Sequence, residues 1–198
     1  MALITDISQL DPNGTYTYAD YMNWRFNEIV ELIKGKIWKM SPAPLRRHQM
    51  ITGNLFTAFS VYLKKNKSCQ VYIAPFDVRL PKKNLSLEDK EIYTVVQPDI
   101  CIICDESKLD KRGCIGVPDM IVEVLSPGNS GRDTKIKFDL YEEFGVKEYW
   151  IVSGGEESVT VFLLEDGKFR LANDYGASGS IPVQTLPGFS IEWSDIFT

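Results

Sequence analysis

Apolar residues recur at three- and four-residue steps across residues 44–65, and this spacing predicts an amphipathic helix. The residues that share its predicted inner face are His48, Ile51, Leu55, Phe59 and Tyr62. A second helix is predicted for residues 132–144. It should end at Gly145, because glycine readily adopts the left-handed conformation that commonly closes a helix. A shorter helix is predicted in TYADYMNW, near the N-terminus.

Short apolar runs rich in β-branched residues predict the strands of a central sheet. These runs are VYIAPFDVRL, VVQPDICIIC, DMIVEVLSP and KEYWIVS. Two hairpins are predicted from strand pairs with tight turns at Lys34-Gly35 and Asp166-Gly167. The polar residues 81–93 should connect two strands. The order of helix, three strands, helix, strand and hairpin indicates a mixed α/β sandwich with a central sheet.

The composition fits a single domain of 198 residues, since 44% of the residues are hydrophobic. The net charge of −5 is unlike that of a general nucleic-acid binder, which needs clustered Lys and Arg to neutralise phosphates. A local basic groove is still compatible with this charge. No apolar run approaches the length of about eighteen residues that a membrane helix needs, and MALITDISQL lacks the features of a signal peptide. A soluble cytoplasmic protein without membrane contact is therefore expected.

The four cysteines are Cys69, Cys101, Cys104 and Cys114, and no disulfide framework is expected in a cytoplasmic chain of this size. Cys101 and Cys104 form a CxxC sequence within a predicted strand. Residues three apart on a strand point to opposite faces, so this pair should not chelate one metal ion. Buried thiols are therefore predicted rather than a zinc site.

Two acidic residues interrupt the apolar strands. Glu123 lies between Val122 and Val124 in a run with two apolar faces, so burial of its carboxylate is expected. A buried carboxylate needs a cation or several donors. Either Glu123 belongs to a functional site, or it reaches solvent at the strand end or pairs with a structural Arg or Lys. Asp99 follows Pro98, which marks a bend, so Asp99 either projects into a cleft or caps backbone amides.

Asp119 is a weaker candidate, although it also follows a proline. It starts the strand that contains Glu123, and the two residues should be roughly 13 Å apart along an extended chain. That distance is too long for both carboxylates to bind one metal ion directly. Asp119 is therefore interpreted as a residue of the strand start.

The second helix places Asp133, Lys137 and Tyr141 on one face, at four-residue steps. Lys137 either faces the sheet and meets the acidic residues, or forms an exposed ion pair with Asp133 that contributes little to stability. Lys135 points to another side of the helix, so the two lysines are not equivalent candidates.

His48 is the single histidine, and it begins the inner face of the first long helix. It is either a hydrogen-bonded structural residue or part of a site on the sheet. Arg46 and Arg47 precede it and are candidates for phosphate contacts at the helix start. Asp77, in APFDVRL, and Glu31, in ELIKG, are candidates of second rank.

Over nearly its whole length, the chain resembles the Uma-type "putative restriction endonuclease" family, a branch of the PD-(D/E)XK nuclease superfamily. The segments that carry the resemblance are VELIKGKIWKMSPAPLRRHQ, FDVRL, VVQPDI, GVPDMIVEVLSP, RDTKIKFDLYEEFGVKEYWIV and LPGFSIEWSDIF. The resemblance implies one domain whose restriction-endonuclease-like core spans residues 44–153. A helix and hairpin at residues 1–43 would precede this core, and a hairpin and tail at residues 154–198 would follow it.

The resemblance implies that Asp99 is the PD aspartate and that Glu123 is the acid of the third motif. A lysine usually stands two residues after this acid, but here that residue is Leu125. Lys137 on the following helix fits the role of the missing lysine. The further residues that match family positions near the same cleft are His48, Asp77 and Glu31.

The family likeness implies hydrolysis of a phosphodiester, with Mg²⁺ or Mn²⁺ held by Asp99, Glu123 and the backbone carbonyl of Val124. The metal would lower the pKa of its water, and Lys137 would orient that water or stabilise charge in the transition state. DNA is the expected substrate, and cleavage of both strands favours a homodimer. The alternative is a nuclease fold that serves as a binding or regulatory module without catalysis.

Overall fold

A computed structural model describes residues 3–40, 45–82, 86–126 and 131–198, without the side chains of residues 132 and 133. The chain forms two compact units that alternate along the sequence. Unit 1 consists of Met1–Pro42, Phe76–Gln97 and Lys108–Val117. Unit 2 consists of Ala43–Pro75, Pro98–Ser107 and Pro118–Thr198. The expected single domain, with its core at residues 44–153, stays a prediction.

The two long helices of the described residues confirm the two that the sequence predicts. The helices are α1 (Tyr18–Tyr21), α2 (Arg46–Asn66), α3 (Gly131–Phe144) and α4 (Trp193–Phe197). The strands are β1 (Val30–Ile33), β2 (Lys36–Lys39), β3 (Gln70–Ile73), β4 (Val78–Arg79), β5 (Val95–Val96), β6 (Ile100–Ile103), β7 (Leu109–Asp110), β8 (Gly113–Ile115), β9 (Met120–Leu125), β10 (Glu148–Ser153), β11 (Ser158–Glu165), β12 (Lys168–Gly176), β13 (Ser180–Pro182) and β14 (Ser190–Glu192). Short 3₁₀ helices lie at Ile7–Gln9, Asp89–Glu91 and Glu106–Lys108. Among the described helices, none is long and apolar enough to cross a lipid bilayer.

Unit 1 contains a sheet whose described strands follow the order β2-β1-β5-β4-β8-β7. β4 and β8 are parallel, and the other neighbours are antiparallel. The predicted turn at Lys34-Gly35 joins β1 to β2, and its two residues have φ angles of 53° and 79°. Such paired positive φ angles match the twist of a two-residue hairpin. Tyr18 of α1 belongs to the same buried cluster as Leu32 and Val95, so this helix packs on the sheet of its own unit.

Unit 2 contains a sheet whose described strands follow the order β12-β11-β10-β9-β6-β3. β9 and β10 are parallel, and the other neighbours are antiparallel. Adjacent residues of β10 point to opposite faces. Trp150 contacts Phe59 of α2, whereas Tyr149 contacts Tyr141 of α3. The two long helices therefore cover opposite faces of this sheet, which confirms the predicted mixed α/β arrangement.

Two segments that were predicted to be single strands each form two strands, one in each unit, so these two predictions are wrong. VYIAPFDVRL forms β3 in unit 2 and β4 in unit 1, and Pro75 lies in the break. VVQPDICIIC forms β5 in unit 1 and β6 in unit 2, and Pro98 lies in the break. Proline has no N–H group for a ladder hydrogen bond, so a strand tends to end beside it. Asp99 consequently lies just before β6.

The prediction that all four cysteines are buried thiols is wrong for Cys69 and Cys104. Cys69 and Cys104 form a disulfide bond. They flank Gln70 and Ile103, which are paired residues of β3 and β6, so the strand register brings the two sulfur atoms together. This register is a property of the folded sheet and is not visible in the spacing of the cysteines. Cys101 and Cys114 are buried thiols outside the disulfide bond, as predicted.

α3 ends at Gly145, as predicted. Gly145 has a φ of 89°, and its N–H donates to the carbonyls of Tyr141 and Glu142. The N–H of Val146 also donates to the Tyr141 carbonyl. These bonds satisfy carbonyl groups that the end of a helix would otherwise leave without partners. They fix the last turn of α3, which carries Tyr141.

Two glycine-to-alanine substitutions are expected to change stability in opposite directions. Gly145→Ala should lower the free energy of unfolding by about 1 kcal/mol, because a side chain disfavours a positive φ. Gly53→Ala should raise it by about 0.5–1 kcal/mol, because alanine suits the interior of a helix better than glycine. Apart from its chain neighbours and the backbone of its own helix, a Cβ at Gly53 would meet no described atom within 4 Å. Urea denaturation followed by circular dichroism measures both effects, and changes of equal sign would contradict this account.

Candidate active site

Two acidic residues lie on adjacent strands at one end of the unit 2 sheet. β6 and β9 are antiparallel, and Ile100 is opposite Val122. One residue beyond this pair, Asp99 lies just before β6 and Glu123 lies within β9. The strand register therefore brings two acids that are far apart in sequence to neighbouring positions.

Asp99 is held by a histidine and a backbone amide. Its Oδ2 accepts a hydrogen bond from the Val124 N–H at 2.8 Å and lies 3.2 Å from Nε2 of His48. The exposed fractions of the two side chains are 17% for Asp99 and 11% for His48. Within the described residues, Oδ1 of Asp99 accepts no hydrogen bond. Asp99 thus joins α2 to β9 and keeps one oxygen for a further partner.

A buried threonine contacts the other side of the His48 ring. Thr52 Oγ1 lies 3.4 Å from Nδ1 of His48, and it donates a hydrogen bond to the His48 carbonyl at 2.8 Å. Sequence reasoning missed Thr52. The available signal was its position four residues after His48, which places both on one side of α2.

The charge state of His48 is coupled to the two acids. Burial by itself would lower the pKa of His48, because a charged imidazolium is poorly solvated inside the protein. The hydrogen bond to Asp99 and the negative charges of Asp99 and Glu123 act in the opposite direction and outweigh burial. The pKa of His48 is therefore raised above its ordinary value, because both carboxylates stabilise the charged imidazolium.

Glu123 is held by two residues of α3. Its Oε1 accepts hydrogen bonds from Nζ of Lys137 at 2.9 Å and from the hydroxyl of Tyr141 at 2.7 Å. The exposed fractions are 12% for the Glu123 side chain and 18% for the Lys137 side chain. A buried carboxylate is stable when a cation and a further donor satisfy it, and both are present here. Leu125 ends β9 on the same strand face as Glu123, so the cation comes from the helix rather than the strand.

Lys137 and Lys135 point to different sides of α3, as the helical period predicts. Lys137 and Tyr141 lie one turn apart and reach the same carboxylate oxygen. Lys135 is exposed and pairs with Asp139 at 2.9 Å. Asp133, the third residue of the predicted face, lies outside the described side chains.

Asp77 and Glu31 belong to unit 1, where both contact Gln97. Glu31 is buried in β1 and accepts a hydrogen bond from the Gln97 N–H at 2.8 Å. Asp77 accepts one from Nε2 of Gln97 at 2.8 Å and another from the Tyr18 hydroxyl at 3.2 Å. Burial first, and then the charge of Asp77, raise the pKa of Tyr18 to about 12. Sequence reasoning missed Gln97, although it directly precedes Pro98 in the PD segment.

Asp119 makes structural contacts at the start of β9. Its Oδ1 accepts a hydrogen bond from Nζ of Lys147 at 2.7 Å, and its Oδ2 accepts one from the Cys104 N–H at 2.8 Å. Lys147 immediately precedes β10 and Cys104 immediately follows β6. Asp119 therefore ties the start of β9 to both neighbouring strands, in agreement with its interpretation as a residue of the strand start.

The two arginines at the start of α2 differ in their contacts. Arg47 pairs with Glu157, which precedes β11. Arg46 is exposed and forms no ion pair with any residue in the described part of the chain. Of the two, Arg46 is therefore the better placed to meet an external anion.

The oxygen donors of the site fit a small, hard cation. Asp99 and Glu123 supply carboxylate oxygens, and the Val124 N–H orients the Asp99 carboxylate. Within the described residues, no three His, Cys, Asp or Glu side chains form a metal cluster. Mg²⁺ suits a pair of carboxylates, because it typically binds one or two and retains several waters. The residues present therefore fit Mg²⁺ or the chemically similar Mn²⁺.

The profile of the Uma2 family, described as "Putative restriction endonuclease", matches residues 18–194. The chain belongs to the Uma2 family. The match covers every residue that the sequence singles out as a candidate in this Uma2 protein, from Glu31 to Tyr141.

This Uma2 protein resembles two cyanobacterial proteins over most of its length. It is 24% identical over 170 residues to the uncharacterized protein slr1290 of Synechocystis sp., and the alignment covers 84% of each chain. Its fold matches the crystal structure of "a putative nuclease belonging to DUF820" from Anabaena variabilis with a TM-score of 0.69. Sequence identity to that protein is 18%, with 92% of this chain and 97% of the other covered. The structural match confirms the predicted nuclease-like fold class.

Proposed function

We propose that this Uma2 protein is an endonuclease that hydrolyses DNA phosphodiester bonds with Mg²⁺ or Mn²⁺. The observation that carries the proposal is the contact of Lys137 with Glu123, next to Asp99 on the adjacent strand. Two carboxylates and a lysine at one end of a sheet are suited to hold a metal ion and to stabilise the charge of phosphodiester hydrolysis. The description of the Uma2 family supports the same class of reaction.

Asp99, Glu123 and the Val124 carbonyl would hold the metal ion through hard oxygen atoms. When bound, the ion supplies a water of lowered pKa and polarises the phosphoryl group. Oδ1 is the oxygen of Asp99 that is best suited to the ion, because Oδ2 already contacts His48 and the Val124 N–H. His48 therefore acts as a positioning residue that fixes the orientation of the Asp99 carboxylate.

Lys137 provides positive charge where the reaction needs it. In phosphodiester hydrolysis, negative charge develops on the leaving oxygen and on the phosphoryl oxygens in the transition state. The Lys137 ammonium is largely buried, so its interaction with this charge is screened less than it would be in water. Tyr141 bonds the same oxygen of Glu123 as Lys137 does, and thereby restricts rotation of the Glu123 carboxylate.

DNA is the proposed substrate, and a homodimer is the proposed assembly. Arg46 supports a phosphate contact, because it is exposed near His48 at the start of α2 and has no partner among the described residues. A homodimer would present two copies of the site, one for each strand of the duplex.

The second candidate function is a binding or regulatory module without catalysis. One observation favours it: Lys137 and Tyr141 already satisfy Glu123, so a structural role for this cluster requires no metal ion. Leu125, at the position where the superfamily usually has its lysine, is compatible with this alternative.

Incubation of the purified protein with supercoiled plasmid and with single-stranded DNA tests the proposal. We expect cleavage with Mg²⁺ or Mn²⁺ and none with EDTA, because the metal ion supplies the water of lowered pKa and polarises the phosphoryl group. A mock purification from cells that lack the gene controls for contaminating nucleases. Calorimetric titration with Mn²⁺ gives a second readout. Metal binding without cleavage of either DNA would favour the binding module, and neither binding nor cleavage would overturn the metal-dependent assignment.

A further inference from the structure

A groove of about 540 Å³ lies on unit 2, between α2 and the C-terminal segment that contains β14 and α4. Its lining includes Ala58, Val61, Tyr62 and Phe189. Val61 is 51% exposed, so its side chain is open to solvent in the groove. Tyr62 and Phe189 are stacked, with their ring centres 4.3 Å apart.

The groove also has one residue of each charge. Lys65 lies near the end of α2, and Asp195 lies in α4. Both are exposed, and within the described residues neither forms an ion pair. A two-fold axis places the same patch of two molecules face to face, so residue i of one copy meets residue j of the other. A patch that contains one cation and one anion can therefore be complementary to itself.

We propose that two copies of this chain associate through the groove with two-fold symmetry. Val61 of each copy would enter the apolar groove of the other copy, over the rigid stack of Tyr62 and Phe189. Lys65 of each copy would pair with Asp195 of the other. A nucleic-acid strand suits the groove less well, because one cation and one anion give the groove no net positive charge to neutralise phosphates.

This surface is separate from the candidate active site. His48 points from α2 toward Asp99 and the sheet, whereas Val61 is exposed on another side of the same helix. Association through the groove would give the proposed endonuclease two active sites. The inference itself does not rest on the proposed function, because the oligomeric state is measured without DNA or metal. A protein that stays monomeric would therefore contradict this inference without contradicting the nuclease assignment.

The size of the groove predicts a weak dimer. Ten residues line it. Stable interfaces usually involve about 20–30 residues on each side, so association through this groove should be concentration-dependent. We expect a dissociation constant on the order of 10 µM.

Analytical ultracentrifugation of the full chain from about 1 to about 100 µM brackets that dissociation constant and tests the inference. The wild type should change from monomer to dimer across this range. Lys65→Glu and Asp195→Lys should each weaken association by at least about tenfold, because each places like charges opposite one another. The double variant should recover wild-type association, because the exchanged charges pair again. Lys64→Glu is the matched control, since Lys64 is exposed beside Lys65 but does not line the groove.

Val61→Asp should also weaken association, because it introduces a charge into the apolar part of the contact. Thermal unfolding of every variant checks that the fold is retained. A wild type that stays monomeric throughout the range would overturn the inference. So would a double variant that associates no better than the single charge reversals, since the Lys65–Asp195 pairing requires recovery.

Discussion

Replacing Asp99 by asparagine or Glu123 by glutamine is expected to abolish metal-dependent cleavage, with a loss in rate of at least about 1,000-fold. Each change removes a negative charge that a divalent cation requires but preserves the size of the side chain. Asp99→Asn keeps an oxygen for the Val124 N–H, and Glu123→Gln keeps one for the Tyr141 hydroxyl. Single-turnover nicking of plasmid DNA measures the rate, and Mn²⁺ titration measures the accompanying loss of metal affinity.

Asp119→Asn is the matched control for these two variants. Like Asp99, Asp119 follows a proline and directly precedes a strand, and like Glu123 it is largely buried. Its carboxylate, however, contacts Lys147 and the Cys104 N–H. We expect the wild-type rate of cleavage, with some loss of thermal stability. Cleavage that depends on Asp119 and persists in Asp99→Asn would show that the two aspartates have been assigned the wrong roles.

The position of Lys137 could be predicted because helix geometry is local. Residues four apart on a helix share a face, so the spacing of Lys137 and Tyr141 already separates them from Lys135. Burial of Glu123 could also be predicted, because both faces of its strand are apolar. The direct contact of these residues depends on the packing of α3 against the sheet, and for that step the sequence offered only alternatives.

Features that depend on strand pairing were much harder to predict. Cys69 and Cys104 are brought together by the register of β3 and β6, which no local pattern specifies. Sequence reasoning recognised Pro98 as a bend, but it could not determine that the chain passes from one compact unit to the other at this residue. A strand divided between two sheets has the same apolar pattern as a continuous strand, since both halves are buried.

In the proposed site, the lysine that contacts Glu123 comes from the following helix and not from the strand that carries Glu123. A lysine two residues after an acid shares its strand face because side chains alternate along a strand. Leu125 occupies this position here and adds apolar surface to the end of β9 instead. Lys137 reaches the same carboxylate from α3. Under the proposed function, the position of the ammonium group matters rather than the element that carries it, and the next two predictions test this.

Lys137→Met is therefore expected to slow cleavage by about 100-fold or more, because it removes a buried positive charge from the site. Methionine retains most of the length and apolar surface of the lysine side chain. Lys135→Met is the control, since Lys135 is exposed and pairs only with Asp139 among the contacts seen for it. We expect this control to cleave at the wild-type rate. Binding of Mn²⁺ should persist in Lys137→Met, because both carboxylates remain.

Adding Leu125→Lys to the Lys137→Met variant tests whether the position of the charge decides activity. A lysine at residue 125 would approach Glu123 from the strand, on the same face and two residues further along β9. We expect the double variant to recover part of the lost cleavage rate, while Leu125→Met added to Lys137→Met recovers none. Circular dichroism separates loss of fold from loss of activity.

If Lys137→Met instead cleaves as fast as the wild type, the Lys137–Glu123 ion pair serves only stability. A cation needed in the transition state cannot be removed without a loss in rate.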